Sequence, residues 1–361
     1  MEATATLNFC DCITGMAAMD PESVHLTVTS IPFEELFTYS GKLEDVGNNG
    51  STVDIREGRF AINLRFVAAG LYRVHATGTN VCIHIQQLLA YKNQHGFSGR
   101  RDFRGAVIDI FRAAGFEYKG EVAIPKDPQQ MAQRLNLLSL QFATGHSRDA
   151  NNWAPAPNDF VIVFQKPGDA ICPVRPMIYK EGSSPIEFDE WSGKKPGRPR
   201  QRSRTEYLAY IREWARTNEA KNPGGWLAPD DWIKWAKGTW EDIEQIDVLD
   251  GWKSAREDDE EKHVCPLQLS IIYRLVQMYS NPIHIQPDVT VLDPFMGIGS
   301  TAYVCLGGES LDGELPEHRN VIGFELKESY YDQQLRNVAK VRELVKRRDK
   351  QERPLLAACE A

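Results

Sequence analysis

The chain has 361 residues, 42% of them hydrophobic, and a formal net charge of −8. It is long enough to bury a sizeable core in one large or two ordinary domains, and the charge excludes a uniformly basic coat of the kind that binds nucleic acid everywhere. Seven cysteines show no paired framework, and Cys10 and Cys12 are too isolated for a zinc site, which needs four ligands. No apolar run reaches the ~18 residues of a membrane helix. We therefore expect a cytoplasmic protein with reduced thiols, no metal and no membrane partner.

In chain order, residues 7–33 read as strand, short helix and strand. Leu7-Asn-Phe-Cys-Asp-Cys12 opens this stretch, and the buried strand His25-Leu-Thr-Val-Thr29 runs into Ser30-Ile-Pro-Phe33. The glycine- and asparagine-rich stretch 41–51 is a loop. A helix feeding a strand is expected over 57–75, and Asn80-Val-Cys-Ile-His-Ile85 is a further apolar strand. A helix over 104–115 carries Val107, Ile108, Phe111 and Ala114 at helical spacing. Strands over 116–125 and 159–166 flank a helix over 131–142. This alternation predicts an α/β fold with a mostly parallel sheet and helices on both faces.

The texture changes near residue 182. Residues 182–262 hold seven of the eight tryptophans: Trp191, Trp214, Trp226, Trp232, Trp235, Trp240 and Trp252. They read as a small recognition insert. Its basic strip, Gly193-Lys-Lys-Pro-Gly-Arg-Pro-Arg-Gln-Arg-Ser-Arg204, carries Lys194, Lys195, Arg198, Arg200, Arg202 and Arg204 without an acid. Such a strip suits a polyanion, and its Pro-Gly-Arg-Pro-Arg core looks like a minor-groove hook; a solvated linker is the plainer alternative. Arg100, Arg101 and Arg104 form a second basic cluster. After the acidic run 257–261, a helix over 266–280 leads to the most informative segment of the chain.

That segment is Val289-Thr-Val-Leu-Asp-Pro-Phe-Met-Gly-Ile-Gly-Ser-Thr301, followed by Asn320-Val-Ile-Gly-Phe-Glu-Leu326. It reads as strand, glycine turn, helix, and a second strand ending in an acid. Gly297 and Gly299 allow a tight turn and close approach to a ligand. Glu325 is placed to accept both hydroxyls of a ribose, as acids at this point do in dinucleotide folds. The third glycine of the dinucleotide fingerprint and the Gly-Lys-Ser/Thr of a P-loop are absent. A nucleoside without a phosphate cradle is implied, with S-adenosyl-L-methionine the obvious candidate.

Taken together, the motifs resemble the amino-group DNA methyltransferases of the permuted β arrangement, particularly those of phages and prophages. In that family a catalytic Asp/Asn/Ser-Pro-Pro-Tyr/Phe tetrapeptide precedes a recognition region, and a Phe-x-Gly-x-Gly cofactor motif comes last. Ser30-Ile-Pro-Phe33, the tryptophan-rich middle and Phe295-Met-Gly-Ile-Gly299 stand in that order. Further likenesses are Phe37-Thr-Tyr-Ser40, Lys126-Asp-Pro128, Phe160-Val-Ile-Val-Phe-Gln-Lys-Pro167, His263-Val-Cys-Pro-Leu-Gln268 and Glu325-Leu-Lys-Glu-Ser-Tyr330. The likeness spans roughly residues 7–340.

The resemblance implies a circularly permuted Rossmann-like methyltransferase fold. Its parts would be a catalytic half over 1–181, a recognition and DNA-contact region over 182–262, a cofactor half over 263–345, and a charged tail over 346–361. It implies DNA as partner, with a base turned out of the stack. Ser30 Oγ and the Ile31 carbonyl would accept from the base amine, with Pro32 holding the tip and Phe33 stacking on the ring. For the cofactor, Asp293 would face the methionine amine and Phe295 would pack beside it. Gly297 and Gly299 would form the turn, Ser300 and Thr301 would open the helix, and Glu325 would meet the ribose. Asp11 and Cys12 would face the adenine, although Asp11 equally fits a helix N-cap.

Within the resemblance, serine in the first position implies cytosine-N4 chemistry, with adenine-N6 as the alternative. Cytosine-C5 transfer needs a thiolate presented by a Pro-Cys dipeptide, and the chain has none. One departure stands out. Ile31 replaces the family's first proline, whose fixed φ would hold the carbonyl. A catalytically weakened DNA-binding protein on the same fold is the further alternative.

Overall fold

The computed structural model describes residues 2–33, 45–47, 54–134, 154–174, 188–203, 205–207, 209–210, 229–251, 255, 266–315 and 317–359. The expectations for residues 37–40 and 135–142, for Arg204, Trp214, Trp226 and Trp252, and for His263 and Cys265 lie outside them.

The chain opens with β1 (Ala5–Phe9), α1 (Cys12–Ala17) and β2 (Val24–Ser30). It continues through α2 (Arg59–Val74), β3 (His75–Gln86), β4 (Leu88–Ala90), α3 (Lys92–His95), β5 (Gly99–Arg101), α4 (Phe103–Ala113), β6 (Glu117–Ile124), α5 (Pro128–Arg134) and β7 (Asp159–Gln165). The middle contributes α6 (Phe188–Trp191) and α7 (Pro229–Trp235). Then follow α8 (Leu269–Tyr279), β8 (Thr290–Asp293), α9 (Ser300–Cys305), β9 (Glu309–Ser310), β10 (Gly313–Glu314), β11 (Asn320–Glu325) and α10 (Glu328–Cys359).

Seven strands form one sheet in the order β1-β11-β8-β2-β3-β7-β6. The pairs from β1 to β3 are parallel, whereas β7 runs antiparallel to both β3 and β6. The sheet is therefore mixed at one edge. The late strand β8 sits beside the early strand β2, with Leu26 opposite Val291 and Thr27 opposite Leu292. Residues 75–86, only the latter half of which the sequence reads as an apolar strand, make one continuous strand that starts where α2 ends.

Strand alternation sends successive side chains to opposite faces, and each face has its own helices. On one, Leu26, Val28, Cys82, Val161, Val163 and Val291 pack with Ile272 and Val276 of α8 and Ala302 and Val304 of α9. On the other, Val81, Ile83, Ile85, Ile162 and Phe164 pack with Leu64 and Leu71 of α2 and Val107 and Phe111 of α4. Helix α2 buries Phe60, Leu64, Val67, Leu71 and Val74, a stripe at spacings of three and four. Fully burying each such side chain contributes roughly 1.5–3 kcal/mol.

Trp235 and Trp240 pack into the first of these two cores, with Leu26 and Val161, instead of forming a core of their own. The segment holding them is bonded to β6, since Ala123 N donates to Gly238 O and Trp240 N donates to Ala123 O, both at 2.9 Å. Trp232 is 53% exposed. At the far end, α10 stays helical through Cys359.

Candidate functional site

Because β1, β11, β8, β2 and β3 are parallel, their C-terminal ends line one edge of the sheet, where open α/β folds bind ligands. That edge receives Asp11 after β1, Glu325 at the end of β11, Asp293 at the end of β8, Ser30 at the end of β2, and His84 near the end of β3. Since β7 runs the other way, its first residue, Asp159, arrives at the same edge. The glycine turn and the Ser-Ile-Pro-Phe tip are thus brought together.

The turn after β8 is held from several sides. Gly297 has φ +57° and Gly299 has φ +95°, left-handed values that favour glycine. Open space lies where a Cβ on Gly297 would point, whereas one on Gly299 would come within 3.0 Å of Gln334 Cγ. Gln334 Nε2 donates to Gly297 O at 3.2 Å, and Asn337 Nδ2 donates to Ile298 O at 2.8 Å. Met296 N donates to Phe324 O at 3.0 Å. A Cβ on Gly323 in β11 would strike the Met296 side chain, so β11 and the turn approach closely there.

Two buried acids set the electrostatics of this edge. Asp293 Oδ1 accepts from Thr29 Oγ1 at 2.6 Å and from Phe295 N at 3.0 Å, and its Oδ2 accepts from Thr301 Oγ1 at 2.6 Å. Burial nonetheless raises its carboxyl from 3.8 to about 6. Glu325 Oε2 accepts from Gly297 N at 2.8 Å, and Oε1 accepts from Leu326 N at 2.9 Å and Lys327 N at 2.8 Å. Burial, reinforced by the charge of Asp293, raises it from 4.5 to about 7 against those bonds. A carboxylate offers about four lone-pair sites. With three donors in place, Glu325 has room for one further hydroxyl while Gly297 N–H keeps its bond.

Ser300 and Thr301 are buried at the start of α9, behind Gly299 as its N-cap. Phe295 is half-buried. Asp11 caps α1, its Oδ1 accepting from Thr14 N at 2.8 Å, so the capping role foreseen for it is present. The Cys12 thiol is buried, and burial pushes its pKa up strongly. The Phe9 ring lies tilted against that of Tyr331, centroids 5.4 Å apart, beside Glu325, which pairs with Phe9 in register.

At the tip, the Ile31 side chain is 1% exposed and belongs to the α2/α4-side core. Isoleucine in the family's proline position is therefore anchored by packing. Phe33 is half-buried and lies edge-on to Phe103, with centroids 6.4 Å apart. Thr29 connects the tip to β8 through Asp293. Ser30 Oγ lies 3.0 Å from His84 Nδ1, His84 Nε2 lies 3.2 Å from Asp159 Oδ2, and Lys126 Nζ lies 2.6 Å from the same oxygen. His84 and Asp159 belong to none of the sequence motifs. Their only signal is a polar residue inside an apolar strand and an acid at a strand's first position.

The basic strip is partly compensated. Lys194 and Arg200 pair with Asp189 at 2.8 and 2.6 Å, and Arg202 lies 4.7 Å over the Trp191 ring. Lys195 and Arg198 are exposed. In the second cluster, Arg104 pairs with Glu121 at 2.8 Å and Arg100 donates to Pro155 O at 2.8 Å. Among the described residues no group of acids, cysteines and histidines could hold a metal ion, and no helix is long and apolar enough to cross a membrane.

A family model described as DNA methylase, of the N6/N4 type, matches residues 24–336. Among solved structures, the chain is similar to a putative DNA modification methylase from Thermus thermophilus complexed with S-adenosyl-L-methionine, at 16% identity and TM-score 0.54, covering 94% of each chain. It is also similar to the PvuII DNA methyltransferase, described as cytosine-N4-specific, at 13% identity and TM-score 0.54, covering 96% of this chain and 93% of that one. No curated protein sequence matches the chain.

Proposed function

The chain belongs to the N6/N4 DNA methylase family, and from that premise we propose that it methylates the N4 amine of a cytosine turned out of duplex DNA, with S-adenosyl-L-methionine as donor. The observation that carries this reading is the meeting of Ser30-Ile-Pro-Phe33 and the glycine turn at one sheet edge, tied by the Thr29–Asp293–Thr301 bonds. Serine at the head of the tip supports cytosine over adenine, and the described neighbour with cytosine-N4 specificity has the same fold.

The residues present fit the cofactor. Open space beside Gly297 admits a ligand against the backbone. Glu325 retains an acceptor position for a ribose hydroxyl, and Asp293 and Glu325 supply two buried carboxyls that a sulfonium and an ammonium would favour in ionised form. Phe295 would pack beside the ligand, Ser300 and Thr301 would hold the start of α9 under it, and the Asp11–Cys12 segment would lie toward its adenine. When bound, the cofactor supplies an electrophilic methyl carbon.

The chain's own residues do the rest by positioning. An exocyclic amine is a poor nucleophile because its lone pair is delocalised into the ring. Ser30 Oγ and the Ile31 carbonyl accept from its two N–H groups and draw the nitrogen toward tetrahedral geometry. Pro32 stiffens the tip and Phe33 offers a flat face to the flipped base. Lys194, Lys195, Arg198, Arg200, Arg202 and Arg204 neutralise phosphates on the flanking duplex.

Incubation with methyl-labelled cofactor and either a dG·dC or a dA·dT alternating duplex tests the reading. Label should enter the dG·dC polymer alone. Label confined to dA·dT would move the assignment to adenine-N6, and label in neither would favour a DNA-binding protein without transfer activity.

A further inference from the structure

We propose that His84, held by Asp159, orients the Ser30 hydroxyl and receives, through it, the proton that the base amine must lose. This rests on the reading above and extends it to residues outside the tetrapeptide. Ser30, His84 and Val161 face one another across β2, β3 and β7, because Ser30 pairs with His84 and His84 pairs with Val161 in register. Asp159 stands two residues before Val161 and so projects from the same face. The result is a continuous line: Ser30 Oγ, 3.0 Å, His84 ring, 3.2 Å, Asp159 carboxylate. The His84 and Asp159 side chains are 9% and 8% exposed.

The proton positions follow from the partners. Burial works to raise the Asp159 carboxyl, but the His84 bond and the Lys126 ammonium outweigh it and hold the group ionised. An ionised carboxylate only accepts, so His84 Nε2 carries a hydrogen and donates. In the singly protonated ring Nδ1 is then bare, and the Ser30 O–H donates to it. Both remaining lone pairs of Ser30 Oγ are left free to accept from a base amine. Without His84 the hydroxyl could turn its own hydrogen toward the amine and repel it.

After the amine nitrogen has gained its methyl group it carries a positive charge and one hydrogen too many. That N–H bond breaks with its electron pair staying on nitrogen. Ser30 Oγ takes the proton while its original hydrogen passes to His84 Nδ1, leaving serine neutral and His84 an imidazolium beside Asp159. Lys126 Nζ lies 2.6 Å from the same carboxylate, and the proton leaves His84 for solvent before the next turnover. Among the described residues, the charged and titratable groups that touch this line are Asp159 from β7 and Lys126 from the loop after β6. His84 is thus a positioning and proton-accepting residue that acts through Ser30.

The test compares wild type, His84→Asn and His84→Ala in single-turnover transfer to a short dC-containing duplex, from mildly acid to mildly alkaline pH. Asparagine can still accept from Ser30 with its side-chain oxygen but cannot take up a proton. We expect its rate to fall about 10²-fold, as for loss of a general base, with the acidic limb of the pH profile flattened. Affinity for cofactor and DNA should stay within about twofold. His84→Ala should be slower still. A second readout needs no cofactor: nitrogen-15 histidine NMR should find Nε2 protonated and Nδ1 bare in wild type, and Asp159→Asn should disturb that arrangement. A bare Nε2, or a His84→Asn variant with the wild-type rate and pH profile, would overturn the inference. Equal losses in cofactor affinity and rate would reduce His84 to a packing residue. A wild type inert toward every base contradicts the transfer reading as well, whereas a methylating wild type with an indifferent His84 contradicts only this inference.

Discussion

Glu325 and Asp293 are buried acids at one edge of the sheet, and each is held above its ordinary range, at about 7 and about 6. The folded chain therefore keeps protons that the unfolded chain would lose. Their contribution to stability is full below the unfolded values and is lost as pH rises through the folded ones. A cationic ligand favours the ionised forms, so cofactor affinity should rise between about pH 5 and pH 8, with protons released on binding. Calorimetry in buffers of different ionisation enthalpy measures that release, and a flat affinity would contradict this account of the pocket. Glu325→Gln should weaken binding by about 1.5–3 kcal/mol, the range for a hydrogen bond to a charged group, and remove most of the upper part of the pH dependence. Phe33→Ala, by contrast, should lower turnover on DNA while leaving cofactor affinity near wild type. Equal losses in both would count against stacking by Phe33.

Between β8 and β11 the glycine turn depends on α10, and this dependence was not legible in the chain. The strand, the turn glycines and the closing acid announce themselves through an apolar run, two glycines and Glu325 in a fixed order. Gln334 and Asn337 look like ordinary polar surface positions, and only the fold shows them buried against the carbonyls of Gly297 and Ile298. Asn337→Ala would leave the Ile298 carbonyl without that donor. A cost of about 1–3 kcal/mol is expected, seen as a lower unfolding midpoint together with weaker cofactor binding. An unchanged midpoint would show the clamp to be idle. Direction was equally hidden: the apolar run in β7 identifies a strand but not its sense, so the antiparallel edge that brings Asp159 to His84 emerged only from the structure. Ile31, a weakness when judged by motif, proved to be seated in the core.

Across the whole molecule, an acidic chain must concentrate its positive charge to hold DNA, and our proposal assigns that part to the strip at 194–204. Its composition was legible, but its pairing with Asp189 was not, because that acid lies outside the run. Lys195 and Arg198, exposed and not among the residues paired with Asp189, should dominate phosphate neutralisation. Changing both to alanine should flatten the slope of log affinity against log salt by about 1.8, at ~0.9 per phosphate contact on duplex DNA. Equivalent changes at Lys194 and Arg200 should do less. A slope unmoved by the first pair would make the strip a linker. The tryptophans teach the same lesson at larger scale: their density suggested a separate unit, yet Trp235 and Trp240 complete the main core.

Our proposal places methylation of a base amine at the Ser30 tip. Nucleoside mass spectrometry on duplex DNA treated with the protein and S-adenosyl-L-methionine, alongside a Ser30→Ala control, addresses it most directly. N4-methylcytosine should accumulate with wild type and fall sharply with the variant. N6-methyladenine in its place, or a yield indifferent to Ser30, would contradict the account.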